Sequence, residues 1–214
     1  MKTLFVSLIL LIPFINLNSQ SIGEIAPPKE PIIFPPNALG VDLMISDGGF
    51  GFGGFYRHAV SEHFTLFTDI SFSESKDERE FEYIDPFGNK FTFGKKNRVF
   101  VVPLNFGAQY RLFAKELADN LRPYINAGVG PSLIITTPYS EEFFNAFSSA
   151  QTQVAAGGYI GFGANFGLNK SSLIGLNFRY YIIKLLGEGV ESLAGRSKNV
   201  IGGFFVTFNI GFMY

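Results

Sequence analysis

The sequence contains no cysteine and no tryptophan, only two histidines in 214 residues, and a formal net charge of −1. Without cysteine there is neither a disulfide framework nor a thiol at the amino terminus to carry a lipid. The balance of 17 basic against 18 acidic residues, with no long basic run, excludes the electrostatic footprint of a nucleic-acid partner. Long apolar runs are scarce as well. The run from Leu4 to Ile15 is interrupted by Pro13 and falls short of the roughly 20 residues that a membrane helix needs. With Lys2 ahead of it and Ser19-Gln20 behind, it reads as a secretory signal peptide over residues 1–19. Nothing later reads as a spanning helix, and no solenoid repeat is visible.

What the chain does have is 47% hydrophobic residues, 26 phenylalanines and 24 glycines, arranged in alternation. Period-2 segments lie near 39–46, 50–58, 63–74, 98–112, 122–135, 153–168, 172–185 and 199–214. Connections at 59–62, 113–121 and 169–171 are short; those at 75–97, 136–152 and 186–198 are long. A closed barrel is the other way to satisfy every backbone group in lipid. Bacterial single-chain barrels have even strand numbers, so the count of eight matters. It depends on ISDGGFGFGGFYRH, Ile45 to His58. Gly49, Gly51 and Gly54 there have the G-x-G-x-x-G spacing of a dinucleotide loop, but that loop must open a helix, and the alternation instead resumes in FTLFTDISF. Asp47-Gly48 between alternating flanks is a tight hairpin turn, without which the count would be odd. The fold class is therefore all-β, an eight-stranded antiparallel up-and-down transmembrane β-barrel over residues 38–214. A leader at 20–37, with five prolines in SIGEIAPPKEPIIFPPN, cannot pair as a central strand.

Alternation assigns the faces. Outward residues include Leu39, Val41, Leu43, Phe50, Phe52, Leu66, Phe100, Phe106, Ile160, Leu168 and Tyr180. The inner face carries Asp42, Arg57, Asp69, Asn105, Gln109, Arg111, Arg122, Tyr124, Asn126, Arg179 and Tyr181. An eight-stranded interior is only wide enough to be filled by side chains, so these polar groups read as a plug. Asp42, Asp69 and Arg179 belong near mid-height. Arg57, Arg111 and Arg122 gather toward the mouth with the short turns, where Glu62, Glu116 or Asp119 would neutralise them.

The last segment, NVIGGFFVTFNIGFMY, puts Phe208, Ile210, Phe212 and Tyr214 on one greasy face and ends on an aromatic residue. Here the chain resembles small outer-membrane barrel proteins of the OmpA, OmpX and OmpW type. The resemblance implies recognition of that strand by the outer-membrane insertion machinery and a place in the lipid of a Gram-negative-type outer membrane. Both termini and the leader would then be periplasmic, with the long connections outside. Lacking tryptophan, the chain must build its interfacial belts from tyrosine and phenylalanine.

Chemistry is hard to find in the residues. His58 and His63 flank a short turn, and Ser61, Glu62 and His63 are too close in sequence to converge as a triad. The cluster KDERE at 76–80 mixes acids with bases and reads as a solvated charged rim rather than a metal loop. No catalytic residue, metal or cofactor is expected. In FEYIDPFGNKFTF, two alternating arms predict a protruding ribbon in which Asp85 faces Asn89, Tyr83 faces Phe91 and Phe81 faces Phe93, with Phe87 at the tip. Glu80, Glu82 and Lys90 would keep its other face soluble. PYSEEFFNAFSSAQ predicts a short helix beginning near Ser140 that carries Phe143, Phe144 and Phe147. The expected function is a non-enzymatic structural or interaction role through the outer loops, with an extracellular protein or matrix ligand as candidate partner. A narrow channel or conduit for small solutes, hydrophobic ones among them, is the alternative, and a lipid-modifying enzyme the third.

Overall fold

The computed structural model describes residues 33–214 except 89, 115–116, 118–120 and 168–169, and gives the backbone alone at 82, 90 and 91. The proposed signal peptide and most of the leader lie outside the described residues. Among the described residues twelve strands occur in the order β1 (Asn37–Ser46), β2 (Gly49–Ala59), β3 (Phe64–Ser75), β4 (Glu82–Ile84), β5 (Lys90–Thr92), β6 (Asn97–Arg111), β7 (Leu121–Pro138), β8 (Gln151–Phe166), β9 (Ser172–Leu185), β10 (Val190–Glu191), β11 (Ser197–Lys198) and β12 (Val200–Met213). Eight of them close into a barrel in the order β1-β12-β9-β8-β7-β6-β3-β2, while β4-β5 and β10-β11 form separate hairpins.

The closure rests on the register of first and last strands, which runs antiparallel from Ala38↔Met213 to Ser46↔Phe205. The Asp47-Gly48 turn joins Ser46 to its partner Gly49, whose φ of 127° lies where a side chain is strained, so glycine is needed there. The glycine triplet belongs to an antiparallel strand and faces no helix. All long connections and this turn lie at one end, here the loop end. The short connections and both ends of the barrel lie at the other, the turn end.

Side chains sort by parity. Leu39, Val41, Leu43, Ile45, Phe50, Phe52, Leu66, Phe106, Ile160, Ile182, Phe208 and Phe212 are all exposed, forming an apolar belt outside the wall. Phe100 shares that parity but is buried to 3%, because the connection after β7 folds outward over it. Its ring stacks on Phe72 at 5.2 Å and on Phe147 at 5.6 Å, and Phe143 meets it edge-on at 6.1 Å. The helix predicted from Ser140 is a single 3-10 turn, Asn145–Ser149. Arg98 ties the connection down by donating to the carbonyls of Pro138, Tyr139 and Glu141. Leu168 lies outside the described residues.

Inside, the filling is layered. Toward the loop end Met44, Val99, Val101, Ile134, Ile183, Ile201 and Phe205 form an apolar layer. Ala38, Phe55, Leu173 and Met213, with Phe34 against them, form a smaller one at the turn end. Between them lies a polar layer.

Candidate functional site

The polar layer is built from strands on opposite sides of the barrel. Arg179 on β9 is 1% exposed, and its Nη2 lies 2.9 Å from Asp42 Oδ2 on β1, with Nη1 3.8 Å from Asp69 Oδ2 on β3. Asp69 accepts hydrogen bonds from Tyr159 Oη at 2.7 Å and Asn105 Nδ2 at 2.9 Å. Asp42 accepts from Asn209 Nδ2, whose Oδ1 takes the Tyr124 hydroxyl at 3.4 Å. Tyr181 Oη accepts from Arg179 Nη1 at 3.4 Å. Glycines make the room. A Cβ on Gly161 would come within 2.6 Å of Asn126 Oδ1, and one on Gly163 within 2.9 Å of the Tyr124 hydroxyl. Every carboxylate oxygen in this knot has a donor, as buried charge requires, while Arg179 Nε is left without a partner. Its geometry cross-braces the wall and closes the lumen: a cavity of about 30 Å³ lined by Ser71, Val101 and Tyr181 lies on the loop side. A second of about 470 Å³, lined by Arg57, Gln109, Arg111 and Arg122, lies on the turn side.

Glu62 lines that second cavity but forms no ion pair among the described residues, and Glu116 and Asp119 lie outside them. The histidines sit at the same end. His58 Nδ1 lies 2.8 Å from Asn37 Oδ1, His63 stacks on Tyr110, and Ser61 Oγ accepts from the Phe64 amide. Ser61 and His63 therefore engage separate partners, and among the described residues neither bonds to Glu62.

The loop end departs from the sequence reading. The KDERE cluster is a solvated rim only at Glu78 and Arg79: Glu80 has a side chain only 2% exposed, 2.9 Å from Lys95 Nζ, and Lys95 also lies 3.6 Å from Glu74. Ser192 donates to the same Glu80 carboxylate. Asp77 is paired with Lys198 at 2.9 Å. Backbone joins the same segments, since Lys96 and Asn97 both donate to Ser192 O, and Lys95 bridges Leu193. Charges distant in sequence thus clasp the connection after β3 to the connection after β9. Glu80 serves this clasp and does not solubilise a ribbon face. The sequence signal was present in the opposed signs of 74–80 and 95–98, but nothing local told which acid meets which base.

Beyond the clasp stands the ribbon. Its register is Glu82↔Thr92, Tyr83↔Phe91 and Ile84↔Lys90. Three pairs form among the described residues, and Phe81 and Phe93 lie one position beyond them. This is the register the two arms predict, with Tyr83 opposite Phe91, and Tyr83 also packs edge-on against Phe93 at 4.9 Å, a diagonal contact. Phe81, Ile84, Phe87 and Phe93 are exposed, Phe87 to 90%. Asn89 and the Phe91 side chain lie outside the described residues.

The Asp77 pair yields a pH prediction. Burial alone pushes this carboxyl up, but hydrogen bonds from Lys198 and the Arg79 amide, with both positive charges, outweigh it and hold it below its ordinary 3.8. A carboxyl whose folded value is depressed stabilises the folded form above its unfolded value and loses that stabilisation as pH falls through the folded one. Protection of the amides of residues 76–80 and 196–198, measured as the exchange rate relative to the intrinsic rate at the same pH, should therefore be high at pH 7 and fall below about pH 3.8. Asp77→Asn should remove that pH step. An identical acid step in the variant would contradict the assignment.

A closed eight-stranded sheet with an apolar exterior and an interior filled around a polar layer is a transmembrane β-barrel of the outer-membrane type. No protein-family model matches the chain, and no curated protein matches it. Among solved structures it is similar to the N-terminal β-barrel domain of Pseudomonas aeruginosa OprF, at 14% identity over 82% of this chain and 95% of that one, TM-score 0.47. Neisserial surface protein A, NspA, matches at 11% identity over 83% and 94%, TM-score 0.48. Ail, the attachment invasion locus protein of Yersinia pestis, matches at 12% over 84% and 99%, TM-score 0.43. With TM-scores this low, the fold assignment rests on the strand pairing itself.

Proposed function

We propose that the protein is a non-enzymatic outer-membrane barrel that holds a preorganised set of outer loops toward a partner outside the cell. Residues 1–19 would serve as its signal peptide, 20–37 as a periplasmic leader, and Phe208, Ile210, Phe212 and Tyr214 as its insertion signal. The observation that carries the reading is the pairing of a buried ionic clasp with an exposed aromatic ribbon. The clasp fixes the base of the loop, so the ribbon is presented without a large ordering cost on binding. Among the described residues β4 and β5 pair only with each other, leaving both outer edges open. Open edges accept an extended strand by β-augmentation, while Phe81, Tyr83, Phe87 and Phe93 supply apolar contacts.

The conduit reading draws support from the ladder around β6. Pairing lapses between Ile70↔Leu104 and Ser73↔Val101, and again between Pro103↔Ser132 and Phe106↔Val129, next to Pro103 and Pro131. Proline cannot donate to a ladder, which thins the wall beside the small loop-side cavity. The knot below that cavity still bars an axial path.

Replacing Phe81–Phe93 by a short Gly-Ser linker separates the readings. Heat-modifiable migration of the barrel should survive, because the β4-β5 hairpin pairs with no barrel strand. Cell-surface or matrix adhesion measured for the parent should be lost, and a cysteine at Gly88 in this otherwise cysteine-free chain should label in intact cells. Retention of every parental interaction, or an inaccessible Gly88 site, would overturn the proposal.

A further inference from the structure

We infer that the turn end of the barrel holds a binding site for a phosphate-type oxyanion. Arg57 from β2, Arg111 from β6 and Arg122 from β7 converge on the cavity of about 470 Å³ at that end. Arg57 is only 5% exposed, and its Nη1 donates to Asn165 Oδ1 at 3.1 Å. Arg111 Nη2 donates to the Leu117 carbonyl at 2.8 Å. Arg122 lies over the Phe34 ring at 3.9 Å and meets the Met213 sulfur, a weak acceptor, at 3.7 and 3.8 Å. The Nε atoms of Arg111 and Arg122 are buried without a hydrogen-bond partner. A guanidinium carries five N–H donors in a fixed fork, and among the described residues these two Nε donors are unspent.

Among the described residues charge is unbalanced in the same place. At mid-height two carboxylates answer the single Arg179, whereas none of these three arginines forms an ion pair among the described residues. Glu62 is the carboxylate on the cavity wall, and it is exposed. Three like charges gathered in a partly desolvated mouth repel one another, and an anion between them converts repulsion into attraction. Forked donors arriving from three strands suit a tetrahedral oxyanion better than a planar carboxylate, since each guanidinium can address a different oxygen. Phe34, Leu173 and Met213 add an apolar wall, so the phosphate could be free or be borne on a lipid headgroup.

The test uses the full chain purified in a maltoside detergent and titrated calorimetrically with inorganic phosphate against chloride at equal ionic strength. Saturable binding of one phosphate per barrel is expected, weakened at least tenfold in Arg111→Gln/Arg122→Gln, with heat-modifiable migration reporting that the variant is folded. Should that variant fail to fold, Arg111→Lys/Arg122→Lys keeps the charge and should still weaken binding by removing the forks. Repeating the titration in nanodiscs of anionic phospholipid distinguishes the sources. Unchanged affinity there points to a soluble phosphate, whereas loss of binding together with arginine-dependent lipid retention points to a headgroup. Absence of saturable phosphate binding in detergent, or affinity unaltered in the folded variants, would overturn the inference.

Discussion

Arg179→Ala is expected to lower the stability of the folded barrel by about 3–5 kcal/mol, the scale for removing one partner of a buried ion pair. The loss is large because Arg179 serves two carboxylates: without it Asp42 and Asp69 remain buried, with only neutral donors such as Asn209, Asn105 and Tyr159. Asp42→Ala should cost less, since Arg179 keeps Asp69 at 3.8 Å and the Tyr181 hydroxyl at 3.4 Å. Urea unfolding in lipid vesicles, read by the gel-mobility difference of folded and unfolded barrel, measures both. Equal midpoints for wild type and Arg179→Ala would show that the knot is not a brace.

The second large effect falls at the loop end and should be local. Lys95→Ala leaves the Glu80 carboxylate buried with Ser192 and the Asp77 amide as its donors among the described residues, and takes the same ammonium from Glu74. It also removes the ammonium 5.1 Å above the Tyr139 ring. A buried charge that loses its partner can escape to water when its loop opens, so the response is expected to be sub-global opening rather than barrel unfolding. Limited proteolysis should cut within 76–96 at least tenfold faster than in wild type, while the barrel keeps its heat-modifiable migration. A protease-resistant Lys95→Ala loop would mean that the backbone bonds to Ser192 and Leu193 hold the clasp alone.

The barrel was legible because a strand's side-chain period is two, so alternation fixes both strand positions and faces. Asp42 and Arg179 could be placed in the lumen without any knowledge of their partners. Partnering itself was not legible. Asp42 and Arg179 meet only because β1 and β9 both flank β12 in the closed sheet, a consequence of closure rather than of any local motif. The KDERE segment misled for the same reason: a charge run looks solvated until the bases that bury it arrive from 95 and 198. Phe100 kept the parity of a lipid-facing residue, yet the loop carrying Phe143 and Phe147 turned outward and covered it. The apolar inner layer of Met44, Val99, Val101, Ile183 and Ile201 escaped notice because those strand ends are apolar on both faces, which erases the alternation that marks an inside.

The central claim is that the lumen is sealed at mid-height and that the work is done by the outer loops. Single-channel recording on the full chain in planar bilayers tests it most directly. The knot of Asp42, Asp69 and Arg179 between the two lumenal cavities predicts no steady conductance in the wild type, with openings appearing in Arg179→Ala if that variant stays folded. A steady, large conductance from the wild-type barrel would contradict the account and make the protein a channel.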